Sequence, residues 1–406
     1  MTTEKKLRVL MISTDRMIFT EGSAVRERMK EYALLTEELH IIVFTKLSQG
    51  FKKIQISPNL WVYPTRSLSR WFYPLSGYLL VKYLFFRPLF GPGGVKQERP
   101  ITLVTAQDPF ESGLTAYLSA KKLRVPLELQ IHTDFLSPAF TLGSRLNTIR
   151  MWIAKFLLSR HPYLRVVSEK IKKSILEKIS FPLGDTPKVN VFPVFVDVSK
   201  YKNAPETRFL REKYTGNDLL LLAVSRLEPE KNISLAIRLV AEAAKRKPDS
   251  VVALVIAGTG SEEKALRKMA QKCHISDRVF FEGYIADLSP YYRSVDALLV
   301  TSLYEGYGMV FAEAVASGCP VLTLNVGAAR DIVGQWNGIV CDEGDENCLL
   351  QNILRLADSS DARERFLVAA RSEAQKFEPK TKEQYLSELK LLWEQTAEND
   401  SFVGRL

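Results

Sequence analysis

Apolar residues fall along this chain in short, β-branched runs, separated by longer stretches in which they recur every three or four positions. Continuous short runs suit strands buried on both faces, and the intervening period suits helices laid over them, so the pattern predicts parallel sheets covered by helices. In the first half the predicted strands are residues 7–12, 41–45, 101–105, 127–131 and 189–192, with helices over 23–38 and 169–179. A polar, charged segment at 197–217 interrupts the series. A second series runs through strands at 219–224, 252–257, 279–281, 297–300 and 321–324, and an amphipathic helix is predicted over 382–396. The expectation is an α/β chain of two domains, 1–197 and 198–380, followed by a C-terminal helical segment, 381–406.

Composition narrows this picture. A chain of 406 residues, 46% apolar and 25% charged, matches two globular domains of ordinary soluble character. Cys273, Cys319, Cys341 and Cys348 form no C-x-x-C pair, and they read as thiols in a reducing compartment. The four histidines are scattered, so the sequence asks for no protein-held metal and no cofactor. Lys5 and Lys6 precede only a short apolar run without a cleavage site, and no run approaches the roughly 18 apolar residues of a spanning helix. The expected location is therefore cytoplasmic.

Charge is unevenly placed. Residues 1–200 carry 30 Lys and Arg against 16 Asp and Glu, and the remainder carries 26 against 30. Between Leu39 and Gln107 the one acid is Glu98, facing nine bases. Within that span Arg70, Trp71, Phe72, Tyr73, Tyr78, Lys82, Tyr83, Phe85, Phe86, Arg87 and Phe90 mix aromatics with bases. Such a stretch reads either as a buried helix pair whose lysines reach solvent or as a contact for an anionic membrane. The charge of the first half tips the reading to a peripheral membrane association. A second basic helix is expected over 144–160, with Leu146, Ile149, Ile153, Phe156 and Leu157 as its core face. No helix-turn-helix or stacking motif accompanies the charge, so nucleic acid is not the expected partner.

Ligands of open parallel sheets sit where loops leave the carboxyl ends of strands, and unusual polar residues gather there. Arg226 and Lys231 follow the strand at 219–224 and precede a helix beginning near Asn232, so two cations and a helix N-terminus point to one anionic group. A lone Arg and Lys would read as solvated charge, but the strand-end position favours a pyrophosphate site. Glu305 lies in the loop after 297–300 and Glu313 about one and a half turns inside the helix that follows. Both carboxylates and the amides of Gly306, Tyr307, Gly308 and Met309 are placed to hold hydroxyls, although a helix-capping loop with a dipole-friendly Glu has the same pattern. His132 follows the strand at 127–131; a lone histidine there is more often structural. Asp108 and Glu111, after 101–105, read as solvated loop acids.

Four segments in order carry a resemblance. Ser225-Arg226-Leu227 with Lys231-Asn232, Ala257-Gly258-Thr259-Gly260, Phe281-Glu282-Gly283-Tyr284, and Glu305-Gly306-Tyr307-Gly308 with Glu313-Ala314 resemble the family 4 retaining glycosyltransferases. The resemblance implies two Rossmann-like domains facing across a cleft (GT-B), an acceptor-binding first domain, a nucleotide-sugar-binding second domain, and a C-terminal helix returning to the first. It implies a metal-independent hexosyl transfer from a UDP-sugar or GDP-mannose type donor to a lipid-linked or membrane-proximal glycan. Arg226 and Lys231 would bind the donor pyrophosphate, Glu305 and the amides after it the transferred sugar, and Glu313 the ribose. Tyr284 would lie along the base, Gly22 would approach the phosphates, and His132 would stand beside the reacting centre. A nucleotide-sugar epimerase or a non-catalytic nucleotide-sugar-binding subunit would share this fold.

Overall fold

The computed structural model describes residues 6–85, 101–160, 163–181 and 187–398; Phe86, Arg87 and Phe90 of the aromatic stretch lie outside them. The first sheet contains β1 (Arg8–Ser13), β2 (Glu38–Val43), β3 (Ile54–Ser57), β4 (Leu60–Pro64), β5 (Leu103–Ala106), β6 (Leu127–Ile131), β7 (Tyr163–Val166) and β8 (Lys188–Val191). Their order is β3-β4-β2-β1-β5-β6-β7-β8, parallel apart from the β3–β4 pair. The second sheet contains β9 (Leu219–Val224), β10 (Val252–Ala257), β11 (Val279–Gly283), β12 (Ala297–Val300), β13 (Val321–Leu324) and β14 (Gly338–Cys341). Its order is β11-β10-β9-β12-β13-β14, and all its pairs are parallel.

Each sheet reverses direction beside its first strand, β1 between β2 and β5, and β9 between β10 and β12. At such a switch point the loops leave on opposite faces and a crevice opens at the carboxyl ends of the strands. The crevice follows from burial: β9 is Leu-Leu-Leu-Leu-Ala-Val with its first five residues buried, and the helix Ile233–Arg246 lays Ala236, Ile237, Val240 and Ala243 over the sheet. The amphipathic helix Lys382–Glu398 returns to the first domain. Tyr385, Leu389, Trp393 and Ala397, spaced by four, pack with Leu7, Val9, Met11 and Leu103. This is the two-domain arrangement with a returning helix that the resemblance implies.

Several elements differ from the sequence reading. The helix expected to run to residue 38 ends at Ala33, because Glu38 pairs with Arg8 and opens β2. The β3–β4 hairpin turns at Pro58 and Asn59, and β7 and β14 complete the sheets; none of the four was anticipated. The helix Arg145–Leu158 buries Ala154, Leu157 and Leu158, whereas Ile149, Trp152 and Phe156 are exposed, so the expected core face is rotated. Cys341 and Cys348 are not thiols. The loop after β14 turns back into the helix Glu346–Asp358, bringing the two Cα atoms to 5.8 Å, and a disulfide joins them.

Candidate active site

The second domain's strand-end loops are stitched to one another by backbone hydrogen bonds. Ser225 N donates to Ala257 O (3.2 Å), Leu227 N to Thr259 O (2.9 Å) and Gly258 N to Gly283 O (2.7 Å). A Cβ at Gly258 would stand 1.8 Å from the Ser225 carbonyl oxygen, and Gly258 has φ of +146°, a combination only glycine accepts. The Arg226, Gly258 and Gly283 segments therefore form one layer, which explains their recurrence as short motifs. A turn at Pro229–Lys231 then leads through left-handed Asn232 into the helix Ile233–Arg246.

Where this layer meets the first domain there is a cavity of about 450 Å³, lined by Arg226, Lys231 and Glu305, the loop Gly306 to Met309, and His132. The meeting is close. A Cβ at Gly306 would lie 1.9 Å from the His132 carbonyl oxygen, so the absent side chain lets the two loops touch. Tyr304 and Tyr307 pack against the first domain's core, with Tyr304 edge-on to Phe140 at 5.9 Å. Gly308 caps the helix Met309–Ala316, which directs the first-turn amides of that helix at the cavity mouth.

The charges within the site are already paired. Lys231 Nζ lies 2.7 Å from Glu305 Oε1, which also accepts a 2.8 Å bond from Ser302 Oγ. Arg226 Nη2 lies 2.8 Å from Glu230 Oε1 and is 71% exposed. The two predicted phosphate ligands thus each hold a carboxylate, and a diphosphate entering the cavity would exchange with those partners. His132 is open to the cleft yet surrounded by protein. That surrounding protein hinders hydration of the charged ring, and Arg165 and Arg28 repel a proton, so its pKa lies below the ordinary 6.5.

Three predicted residues do not line this cavity. Glu313 is buried beneath it, accepting a 2.9 Å bond from Tyr292 Oη, and burial raises its carboxyl pKa. Tyr284 is exposed after β11, and Gly22, before the helix Ala24–Ala33, has open space where a Cβ would stand.

His132 also forms a wall of a second cavity, of about 590 Å³, with Asp15, Arg28, Gln107, Asp108 and Arg165. Asp108 had read as a solvated acid; here it accepts a 2.8 Å bond from Phe110 N, and burial raises its pKa. Glu111 is instead tied to Arg150 at 3.0 Å. Arg165 and Gln130 are interior strand residues that the sequence reading passed over, although polar side chains inside an apolar parallel strand are a signal in themselves.

Residues 206–373 match the family described as glycosyl transferases group 1. This region belongs to that family. The alpha-monoglucosyldiacylglycerol synthase of Streptococcus pneumoniae is 29% identical over 238 residues, 56% of this chain and 53% of that one. A GDP-mannose-dependent alpha-(1-6)-phosphatidylinositol monomannoside mannosyltransferase of Mycobacterium tuberculosis is 32% identical over 172 residues, 39% of this chain and 44% of that one. The chain spans about half the length of the curated relatives it matches, or less. Among solved structures, sucrose-phosphate synthase from Thermosynechococcus elongatus aligns with a TM-score of 0.70 at 18% identity, over 96% of this chain and 98% of that one. Anabaena HepE in complex with UDP-glucose aligns with a TM-score of 0.65 at 18% identity, over 96% and 99%. The group 1 glycosyl transferase region therefore includes Arg226, Lys231, Glu305 and Glu313, and the whole chain has the GT-B fold.

Proposed function

We propose that this chain is a retaining glycosyltransferase that moves a hexosyl unit from a nucleotide-sugar to a lipid-linked or membrane-proximal glycan. The observation that carries this reading is the shared cavity, in which His132 of one domain faces Arg226, Lys231, Glu305 and the 306–309 loop of the other. In this reading residues 1–197 receive the acceptor, residues 198–380 hold the donor, and residues 381–406 return to brace the first domain.

The donor diphosphate displaces Glu230 from Arg226 and shares Lys231 with Glu305, which brings the sugar-binding carboxylate beside the phosphates. Glu313 serves the ribose, Tyr284 the base and Gly22 the phosphates once the donor is seated. The acceptor hydroxyl attacks from the face the nucleotide leaves, and the departing diphosphate helps to take its proton. The C–O bond to phosphate breaks as the bond to the acceptor forms, with the two cations stabilising the leaving charge. That cationic pair supplies what a divalent ion otherwise would, so the reaction is read as needing neither metal nor cofactor.

A membrane-facing acceptor is supported by the first domain's surface. Trp71, Phe72, Leu75, Leu79 and Tyr83 are exposed along the turn and helix that end at Phe85. Ile149, Trp152 and Phe156 are exposed on the helix Arg145–Leu158, and both helices flank Glu111–Leu123. Arg70, Lys82, Lys121 and Lys155 belong to the same elements, and Arg160 follows the helix Arg145–Leu158. Exposed aromatics among bases suit an anionic headgroup layer, which fits a peripheral position at the cytoplasmic face. Among the described residues no helix is long and apolar enough to cross a membrane.

The test pairs UDP-, GDP- and ADP-sugars with lipid and glycan acceptors, measures nucleoside diphosphate release, and reads the product anomer by NMR, with and without EDTA. Release that requires an acceptor, with the donor's anomeric configuration kept and EDTA tolerated, is expected. Inversion, or loss restored by magnesium, overturns the mechanism. Donor turnover without an acceptor favours an epimerase, and binding without turnover a non-catalytic subunit.

A further inference from the structure

A buried polar chain runs beneath the cleft on one face of the first sheet. Glu128, Gln130 and His132 alternate along β6 and its exit, Thr105 lies beside them on β5, and Arg165 on β7. Gln130 Nε2 donates to Thr105 Oγ1 at 2.7 Å, and Thr105 Oγ1 donates to Glu128 Oε1 at 3.0 Å. Glu128 Oε1 also receives the indole N–H of Trp393 at 3.3 Å and lies 3.3 Å from Arg165 Nε. At the other end His132 Nε2 meets Gln130 Oε1 at 3.1 Å. Thr105, Glu128, Gln130, Arg165 and Trp393 are all buried.

The chain has a direction, and Glu128 sets it. An indole N–H only donates, so the Glu128 Oε1 that it meets is an acceptor, with the Arg165 guanidinium beside it. The threonine hydroxyl must therefore donate to Glu128. Its lone pair then takes the Gln130 amide N–H, which turns the amide oxygen towards His132. An oxygen there requires a hydrogen on Nε2, which leaves Nδ1 with the ring's lone pair.

We propose that Glu128 is a positioning residue that fixes, through Thr105 and Gln130, the Nε2–H tautomer of His132, with Trp393 holding the carboxylate in place from the C-terminal helix. His132 then presents Nδ1 as its hydrogen-bond acceptor to a hydroxyl entering the cleft. A buried carboxylate is a costly way to fill a strand: Glu128 Oε2 has no hydrogen-bond partner among the described residues. An apolar side chain would suit packing alone better, and the directional chain accounts for the acid. The consequence for turnover rests on the glycosyltransferase reading; the tautomer does not.

The experiment uses the full chain with ¹⁵N-labelled histidine. His132→Gln identifies the His132 signals, and long-range ¹H–¹⁵N spectra at pH 7.5 report which ring nitrogen carries the proton. Wild type is expected to show protonated Nε2 and bare Nδ1. Thr105→Val, which cuts the chain but leaves the Glu128–Arg165 pair and Trp393, should give averaged shifts from mixed tautomers. Glu128→Gln, the conservative variant, keeps an oxygen towards Trp393 and Arg165 and so should leave the proton on Nε2; a proton moved to Nδ1 there would contradict the direction of the chain. If Glu128→Gln does not fold, Thr105→Val alone decides. Transfer should fall about tenfold to a hundredfold in kcat with KM little changed in Thr105→Val. A wild-type proton on Nδ1, or an unchanged tautomer in Thr105→Val, overturns the proposal. A tautomer that shifts as expected in a protein without transferase activity supports the positioning chain and removes the functional reading instead.

Discussion

At the scale of single residues, the pairing of Lys231 with Glu305 changes what substitution should do. The pair is nearly buried, whereas Arg226 reaches solvent. Lys231→Ala strands the Glu305 carboxylate, so it should lower unfolding stability by about 1–3 kcal/mol as well as activity. Arg226→Ala should leave the urea midpoint unchanged. Each should lose about tenfold to a hundredfold in kcat/KM, the worth of one charge-assisted bond to the diphosphate. Equal stability of the two variants would contradict the buried pair. Glu305→Gln frees Lys231, so calorimetric titration with nucleoside diphosphate should show affinity retained or raised while transfer falls; a marked loss of diphosphate affinity would mean that Glu305 does not act on the sugar. His132 gives a pH signature. Its folded pKa is depressed, so its contribution to stability is present above the unfolded value near 6.5 and lost as pH falls below it. Urea midpoints should drop more between pH 7 and pH 5 in wild type than in His132→Gln, and parallel drops would show an unperturbed imidazole.

At the scale of elements, the site depends on loops that approach closer than side chains allow. Gly306 is a close contact between the domains, since its missing Cβ would meet the His132 carbonyl. Gly306→Ala forces the 301–308 loop away from β6 and should reduce turnover at least about tenfold, the effect expected of an ångström's displacement at a reacting centre. Circular dichroism should be unchanged, because neither sheet is altered. Gly50→Ala is the control: φ there is +70°, with no neighbour within 4 Å, so it should carry the conformational cost and leave turnover intact. Similar activity in the two variants would remove Gly306 from the cleft's geometry. The motif spacing in the sequence marked these loops because stitched backbones demand glycine at fixed places. It did not reveal that Glu313 turns beneath the cavity to Tyr292, since a helix register says nothing of which neighbour claims the carboxylate first.

At the scale of the whole molecule, polar contacts of Glu169 and Lys170, at the start of the helix that follows β7, also tie the halves together. Lys170 donates to Asn325 O and pairs with Glu343 at 2.8 Å, and Asp331 accepts a 3.0 Å bond from Glu169 N. Trp71 and Phe72 are exposed just ahead of, and Trp152 and Phe156 on, helices that pack against Glu111–Leu123 in the first domain. The protein should sediment with anionic vesicles at low salt and less at high salt, because screening weakens the basic contribution. Changing Trp71 and Phe72 to Ser should weaken sedimentation, and changing Trp152 and Phe156 as well should abolish it. Wild type that ignores anionic vesicles would rule out the membrane reading.

Local pattern was enough for the sheets and for the strand-end loops. A strand buried on both faces is mostly apolar, so β9, β10, β12 and β13 stand in the sequence at the limits they have in the fold, and Leu127, Leu129 and Ile131 mark β6 despite Glu128 and Gln130 between them. Arg226, Lys231, Glu305 and the 306–309 loop were legible for the same reason, since polar residues immediately after such strands have a crevice to occupy. β3 and β14 were not legible, because short edge strands lack that continuous burial; β4 lies inside the sheet and is mostly buried, but its run is broken by Trp61 and ends on Pro64. Partners were hidden altogether, Lys231 with Glu305 and Trp393 with Glu128 across long separations and Cys341 with Cys348 across a short loop, and so was the solvent-facing turn of Ile149, Trp152 and Phe156. Those pairings depend on which surfaces folding brings into contact, and the periodicity of one segment contains no record of its neighbour in space.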